Sequence, residues 1–137
     1  MAKIVVKANL ESMAQVTAFV EEQLESMDCP MKIQMQIAIA VDELFSNIAR
    51  YAYPDGDGEA MVCVEKQEAP SAVLVTFIDR GTPYDPLKKE DPDTTLAAEE
   101  REIGGLGIFL VKKSMDDVRY EYREGQNVLT IVKNLPF

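Results

Sequence analysis

The stretch VDELFSNIARYAYPDG, residues 41–56, decides the fold, because in it a long amphipathic helix ends at a run of turn-forming residues. The helix is predicted to run from about Met31 to Tyr53, where the turn-forming run Pro54-Asp55-Gly56-Asp57-Gly58 ends it. At about 100° per residue, its apolar side chains fall on one stripe, which predicts a core-facing side. The stripe comprises Ile33, Ile37, Val41, Leu44, Ile48 and Ala52.

Two polar residues of this helix, Glu43 and Asn47, lie together on one flank of the apolar stripe. They are one helical turn apart, whereas Asp42 points away from both. A carboxylate and an amide are therefore stacked at the edge of the core, where a cleft between the helix and a sheet would open. Taken alone, such a pair is more often part of a solvated helix face.

Around this helix, the sequence periodicities predict the element order β-α-α-β-β-lid-α-β-β. Runs rich in Val, Ile, Leu and Phe, separated by short turns, indicate two antiparallel hairpins. We expect an α+β fold, a two-layer α/β sandwich with helices packed on one face of a mixed, mostly antiparallel sheet. The remaining predicted elements are a strand at Lys3–Ala8, a helix from Asn9 or Ser12 to about Met27, strands at Glu59–Lys66, Ala72–Asp79, Val118–Arg123 and Val128–Lys133, and a helix from about Leu106.

Composition limits the class of protein. With 137 residues, 47% of them hydrophobic and 28% charged, the chain is expected to form one globular domain. Its formal charge of -10 argues against nucleic-acid binding, which needs clustered Lys and Arg. The absence of histidine excludes His-based triads and phosphohistidine chemistry within this chain. Cys29 and Cys63 are interpreted as reduced thiols of a cytoplasmic protein, and the N-terminus predicts neither a signal peptide nor a membrane span.

A second motif, Asp79-Arg80-Gly81-Thr82-Pro83, follows the apolar strand that ends in TFID. A carboxylate at Asp79 can accept a hydrogen bond from a ligand amine, and Gly81 would let a flat ring approach the backbone. An Asx-type turn that simply leaves the strand is an equally common interpretation.

A third motif is the glycine cluster Gly104-Gly105-Leu106-Gly107, which follows a long irregular stretch from Arg80 to about Ile103. A stretch of that length in a compact domain is usually either a functional lid or disordered, and we expect a lid at about residues 84–104. Glycines before a helix can aim backbone N–H groups at a phosphate, although the spacing is neither that of a P-loop nor that of a Rossmann fingerprint. Arg101 would fold over the outermost phosphate, or is a solvated loop arginine among three glutamates.

The order and spacing of these motifs resemble the ATP-binding domain shared by gyrase, histidine kinases and heat-shock chaperones. Within that superfamily the chain is most similar to the small anti-sigma factor serine kinases of bacteria. VDELFSNIARYAYPDG resembles the N box, FIDRGTPYDP the first glycine box, and GGLGIFLVKKSMDDVRYEY the second glycine box with its following strand. The resemblance extends from about Met1 to Lys133. One departure is Tyr51, which stands where family members commonly carry histidine.

Carried over position by position, the resemblance implies a role for each motif residue. Glu43 would be the general base, and Asn47 would bind Mg²⁺ through its side-chain oxygen. Asp79 would read the adenine, with Gly81 beside the ring. The other implied nucleotide-binding residues are Arg101, Gly104, Gly105 and Gly107 in the lid region, and Thr130, whose hydroxyl would support the adenine contact. The alternative for Thr130 is an ordinary strand threonine.

The function implied by the resemblance is Mg-ATP-dependent phosphorylation of a serine on a small anti-anti-sigma antagonist protein. The same chain would bind and silence a sigma factor, and would form a homodimer. An alternative is an ATP-binding partner-switch module without phosphoryl transfer. The detached catalytic domain of a histidine kinase ranks last, because it needs a phosphoacceptor histidine in another protein.

Overall fold

A sheet and three α-helices make up the part of the chain that the computed structural model describes, residues 1–88 and 105–137. The strands and α-helices are β1 (Ala2–Lys7), α1 (Met13–Ser26), α2 (Met31–Tyr51), β2 (Glu59–Glu68), β3 (Ser71–Asp79), α3 (Gly105–Ser114), β4 (Asp117–Arg123) and β5 (Gln126–Asn134). The strands pair in the order β1-β2-β3-β5-β4, and every pairing within the described ranges is antiparallel. The α+β sandwich expected from the sequence is confirmed, but its sheet is antiparallel rather than mixed.

The core lies between the helices and one face of the sheet. Alternate side chains of the central strands point to that face, as the period of two in a strand requires. Phe77 of β3 and Phe45 of α2 are the largest fully buried side chains. Burying each ring stabilises the fold by about 2–3 kcal/mol relative to exposure. The two layers are therefore held together chiefly by apolar packing that the sequence pattern predicts.

The first two helices follow their local signals. Asn9 caps the turn that leads into α1, since its Oδ1 accepts a hydrogen bond of 3.1 Å from the Ser12 backbone N–H. Of the two predicted caps, Asn9 therefore has this role, and Ser12 makes no side-chain cap bond. Pro30 precedes the first residue of α2 and is favourable there because it needs no hydrogen-bond partner. Among the described helices, none is both long and apolar enough to cross a membrane.

Helix α2 ends at Tyr51, two residues before the predicted Tyr53, because Tyr53 is used in a tertiary contact. The Tyr53 hydroxyl donates to the Glu59 carbonyl (2.6 Å) and accepts from the Arg80 backbone N–H (2.8 Å). Its ring occupies the position that a side chain at Gly58 would need. Tyr53 thus ties the end of α2 to the start of β2 and to the residue after β3.

The register between β3 and β5 decides which residues meet at the end of the sheet near α2. Asp79, the last residue of β3, lies opposite Asn127, and Phe77 lies opposite Leu129. These four side chains point toward the helices, since Phe77 and Leu129 belong to the core. The two polar residues are therefore presented at the rim of an apolar layer.

Candidate functional site

A cleft lies between the second half of α2 and the adjacent ends of β3 and β5. The lining is mostly apolar and aromatic, with a few polar groups, which is the composition of a site for a flat ligand with a polar edge. Its residues are Leu44, Asn47, Ile48, Tyr51, Ala52, Phe77, Asp79, Thr82, Tyr84, Pro86, Tyr120, Asn127 and Leu129.

Asp79 is the buried carboxylate of the cleft, with 5% of its surface exposed. Its Oδ1 accepts hydrogen bonds from the Gly81 backbone N–H (2.9 Å) and from Asn127 Nδ2 (2.9 Å). Its Oδ2 accepts no hydrogen bond from residues 1–88 or 105–137. The Asx-type turn and the ligand acceptor, which were alternatives from the sequence, are thus compatible, because each uses a different oxygen of the same carboxylate.

Asn127 was not among the site residues predicted from the sequence, yet it is 5% exposed and central to the cleft. Besides Asp79, its Nδ2 contacts the carbonyl oxygens of Thr82 (3.0 Å) and Gly81 (3.4 Å). Its Oδ1 accepts from the Tyr84 backbone N–H (3.2 Å) and from the Tyr120 hydroxyl. One buried amide therefore holds both Asp79 and the loop after it. In the sequence, Asn127 could have been found as an asparagine at an inward-facing position of a strand, two residues before Leu129.

The phenol of Tyr120 is the donor that completes this network. Burial raises the pKa of Tyr120 above its ordinary value, and the nearby carboxylates of Asp85 and Asp79 act in the same direction. A hydrogen bond with the Tyr84 backbone opposes them. The hydroxyl therefore stays protonated at neutral pH and remains a donor to Asn127.

Gly81 is required by the end of α2. A Cβ at this position would come within 2.6 Å of the Ala52 carbonyl carbon, and Thr82 N–H donates to the Ala52 carbonyl oxygen at 2.7 Å. The close approach of the loop to the helix is thus a steric reason for glycine at this position. This contact presses the Asp79 loop onto α2.

Asn47 and Glu43 lie together on α2, as their spacing predicts. Asn47 lines the cleft, and its Nδ2 makes a long hydrogen bond of 3.5 Å to Glu43 Oε1. Glu43 is not among the described lining residues, because its carboxylate packs against Gly107, where any side chain would overlap it. The first turn of α3 therefore meets α2 at the carboxylate that the resemblance identifies as a base.

The glycine cluster lies partly within a helix. Gly105 and Gly107 belong to the first turn of α3, which begins one residue before the predicted start at about Leu106. Arg101 and Gly104 lie outside the described residues, and so does the predicted lid from residue 89 onward.

Thr130 is separated from the cleft. It pairs with Thr76 across β3 and β5, and the two hydroxyls are 3.2 Å apart. Its neighbours Leu129 and Ile131 point into the core, so Thr130 points to the opposite face of the sheet. The predicted adenine-supporting role of Thr130 is therefore wrong, because the position is one residue out of phase with the cleft.

The family model and the individual relatives that match this chain agree with one another. The family model described as "Histidine kinase-like ATPase domain" matches residues 6–133. The serine-protein kinase RsbW of Listeria innocua is 33% identical over 97 residues, which is 68% of this chain and 61% of that protein. The serine/threonine-protein kinase BtrW of Bordetella bronchiseptica is 25% identical over 103 residues, covering 75% of this chain and 72% of that protein.

A further relative and a solved structure extend the match. The serine-protein kinase RsbW of Bacillus cereus is 26% identical over 129 residues, 91% of this chain and 73% of that protein. The crystal structure of the RsbU and RsbW domains of a Mycobacterium tuberculosis protein superposes with a TM-score of 0.64 over 98% of this chain and 33% of that one. At 15% identity, this last similarity speaks for the fold alone.

Proposed function

This chain belongs to the histidine kinase-like ATPase domain family, and we propose that it is a Mg-ATP-dependent serine/threonine-protein kinase acting as an anti-sigma regulatory factor. We propose that residues 1–137 form one ATP-binding domain with a lid at about residues 84–104. The observation that carries the proposal is the buried Asp79 in an apolar cleft, with Oδ2 unbonded within the described residues and Asn47 on the facing helix.

The cleft suits a purine with an exocyclic amine. A carboxylate accepts hydrogen bonds only, so Asp79 Oδ2 would accept a hydrogen bond from the amino group of adenine. Guanine presents a carbonyl oxygen in place of that amine and would leave the buried carboxylate opposed by an acceptor, which costs binding energy. The apolar side chains of Ile48 and Leu129 offer a flat surface for the ring. Adenine is therefore the base that this arrangement favours.

The residues also suit a magnesium ion beside the phosphates. Mg²⁺ prefers oxygen ligands and usually keeps several waters, so one protein oxygen is sufficient. Asn47 directs its Nδ2 toward Glu43, which leaves the amide oxygen as the available ligand. When bound, the ion would neutralise negative charge on the transferred phosphoryl group. The remaining phosphate contacts are assigned to Arg101, Gly104, Gly105 and Gly107, as the resemblance implies.

In the proposed reaction, the hydroxyl oxygen of a substrate serine forms a bond to the γ-phosphorus, and the bond from that phosphorus to the bridging oxygen breaks. ADP leaves, and Glu43 accepts the serine proton. A positioned base of this kind typically contributes 10²–10⁴-fold. The position of Glu43, one turn from the proposed Mg²⁺ ligand Asn47, supports this role.

The partners are proposed from the family. The relatives are named serine-protein kinases, and the chain matches 61% of the length of the Listeria protein. We propose that this chain binds and silences a sigma factor. We propose that a small anti-anti-sigma protein is its phosphorylation substrate. A homodimer in the cytoplasm is part of the same proposal.

The first experiment is calorimetric titration with ATP, ADP and GTP, each with and without Mg²⁺. Saturable binding that requires adenine and is strengthened by Mg²⁺ is the expected result. If the protein binds no nucleotide, the proposed function is contradicted. Binding without transfer of labelled phosphate to a serine-bearing antagonist would leave the partner-switch alternative, in which ATP is only a ligand.

A further inference from the structure

Three large apolar side chains are exposed in succession on the first half of α2. Met31, Met35 and Ile39 are 64%, 60% and 62% exposed. They are spaced four residues apart, so they follow one edge of the helix, turn after turn. Single exposed apolar residues are common on protein surfaces, but a continuous row of them is typical of an interaction site. We call these three residues the exposed strip.

The exposed strip borders a groove between α1 and α2. Val20, Leu24 and Val41 line this groove and are at most 2% exposed, so they form an apolar floor. Met31 and Met35 line it on the α2 side. Methionine side chains are flexible and polarisable, and surfaces rich in them can adapt to partner side chains of different shapes. The α1/α2 groove is therefore suited to binding an apolar segment of another molecule.

The rim of the groove is acidic. Glu21 lines it on α1, and Asp42 is exposed where the groove reaches the middle of α2 and accepts a hydrogen bond of 3.3 Å from Thr17 of α1. Lys32 of α2 is not among the described lining residues. Residues 8–31, which include all of α1, contain no lysine or arginine. The acidic residues of that range are Glu11, Glu21, Glu22, Glu25 and Asp28.

Charge and shape together select the occupant. An amphipathic helix carries apolar side chains at positions i, i+3, i+4 and i+7, and such a row packs into an apolar groove. Lysine or arginine residues beside that row would face the acidic rim, where opposite charges favour association. A second copy of this chain would bring a like-charged rim against this one, and an anionic lipid surface would be repelled for the same reason.

We infer that the α1/α2 groove binds a basic amphipathic helix of a partner protein. The apolar row of that helix packs on Met31, Met35 and Ile39, and its lysine or arginine residues lie toward Glu21 and Asp42. This surface goes beyond the proposed nucleotide site, because none of the described residues that line the groove lines the cleft. Binding of the helix is therefore expected without ATP.

The probe for this surface is a synthetic peptide of about 14 residues, made of leucine and lysine and patterned so that the leucines form one helical row. The control peptide has the same composition, with the residues reordered so that no row forms. Calorimetric titration without nucleotide should show saturable binding of the patterned peptide. The reordered peptide should bind at least about tenfold more weakly, because it keeps the charge but cannot bury a continuous apolar face.

Variants of the protein separate apolar contact from charge. Met35→Ser/Ile39→Ser leaves the net charge unchanged and should weaken binding of the patterned peptide about tenfold or more, because two apolar contacts are lost. Leu110→Ser is the matched control, since Leu110 is 49% exposed on α3 and is not among the described lining residues. It should bind within about twofold of the natural protein. Glu21→Gln should weaken binding about threefold and reduce its dependence on salt.

Methionine methyl groups report where the peptide binds. The chain has seven methionines, and isotope labelling of their methyl groups gives each one an NMR signal. The signals of Met31 and Met35, assigned with Met31→Leu and Met35→Leu, should shift when the patterned peptide is added. The signal of Met61 should not shift, because its neighbours Ala60 and Val62 point into the core and Met61 therefore lies on the opposite face of the sheet.

The outcomes distinguish this surface from its alternatives. Equal affinity for the two peptides would show that charge alone attracts them, and the inference would be wrong. A shift of Met61 without shifts of Met31 and Met35 would overturn it as well. If Met31 and Met35 shift with protein concentration alone, a second copy occupies the groove in place of a partner helix. If the protein binds the peptide as expected but binds no nucleotide, the proposed function fails and this surface stands.

Discussion

Asn127 and Asp79 are joined by a hydrogen bond of 2.9 Å between two side chains that are each 5% exposed, across neighbouring strands. The bond runs from an amide, which donates and accepts, to a carboxylate, which only accepts. The amide thereby occupies one carboxylate oxygen and leaves the other for the cleft. A buried carboxylate is stable only when its hydrogen bonds are supplied, so this pair is both a structural element and the proposed recognition element.

Asn127→Asp should make stability depend on pH. Two carboxylates at this distance cannot both be charged at low cost, so the folded state retains a proton that the unfolded chain releases. Because proton affinity is raised in the folded state, stability is retained at acidic pH and lost as pH rises. At neutral pH we expect a loss of about 3 kcal/mol, as for an uncompensated buried charge.

Urea denaturation at pH 5 and pH 7.5 measures this effect. Gln15→Glu makes the same amide-to-carboxylate change at an exposed position of α1 and serves as the control. Equal losses for Asn127→Asp at both pH values would show that the change acts only through packing.

Asp79→Asn should abolish adenine recognition with little change in shape. The new amide keeps an oxygen for Asn127 and for the turn, but turns an N–H₂ donor toward the amine of adenine. Two opposed donors are unfavourable, and a loss of about 100-fold or more in ATP affinity is expected. Calorimetric titration measures it, with circular dichroism to confirm folding. ATP affinity equal to that of the natural protein would mean that the base binds elsewhere.

Glu43→Ala should separate binding from transfer. The side chain lies beside Asn47 but does not line the described cleft, so Mg-ATP affinity should stay within about threefold. Phosphate transfer to a serine substrate should fall by about 10²–10⁴-fold. The adjacent Asp42→Ala is the control, because Asp42 is exposed on the other side of α2 and bonds Thr17 of α1. Transfer at the natural rate in Glu43→Ala would exclude Glu43 as the base.

Gly81→Ala should destabilise the fold through a steric overlap with the end of α2. The added Cβ would lie 2.7 Å from the Ala52 Cβ and closer to its carbonyl group. Relief requires movement of the loop that carries Thr82, and we expect a loss of about 3 kcal/mol. Gly56→Ala is the matched control, since Gly56 has open space but a φ of +85°. Its cost should be only about 1 kcal/mol. If urea denaturation shows that Gly56→Ala loses more stability than Gly81→Ala, the steric contact between residue 81 and the end of α2 is contradicted.

Tyr120 should titrate later than an exposed tyrosine. Its pKa is raised from the ordinary 10.0, chiefly by burial. A raised pKa in the folded state stabilises the fold below the ordinary value, and that contribution is lost as pH rises through the folded pKa. Phenolate absorbance should show one late-titrating tyrosine, which disappears in Tyr120→Phe. A titration curve that is unchanged by Tyr120→Phe would contradict the assignment.

Much of the architecture could be read from short-range patterns. The apolar stripe from Ile33 to Ala52 predicted α2, and the two cap candidates Asn9 and Ser12 predicted where the first helix begins. The turns at Glu68–Ser71 and Glu124–Gln126 predicted the two hairpins that the structure contains. These features depend on neighbours within a few residues, so they are visible without the fold.

The candidate cleft was predicted only in part. The spacing of Glu43 and Asn47 on one helix places them together, and Asp79 closes a strand where a ligand can reach it. Thr130 was wrongly assigned and Asn127 was missed, because a shift of one residue along a strand moves a side chain to the other face of the sheet. The close contact of Gly81 with Ala52 could not be predicted either, since the two residues are far apart in sequence.

The sequence by itself determined the helices, the hairpins and the residues able to carry the chemistry, because periodicity, caps and turn residues act locally. Only the tertiary structure decided that Asn127 faces Asp79, that Tyr84 stands beside Tyr51, and that α3 packs against Glu43. Each of these contacts joins segments far apart in the chain. Their geometry depends on strand register and on the packing of helices over the sheet, which no local pattern specifies.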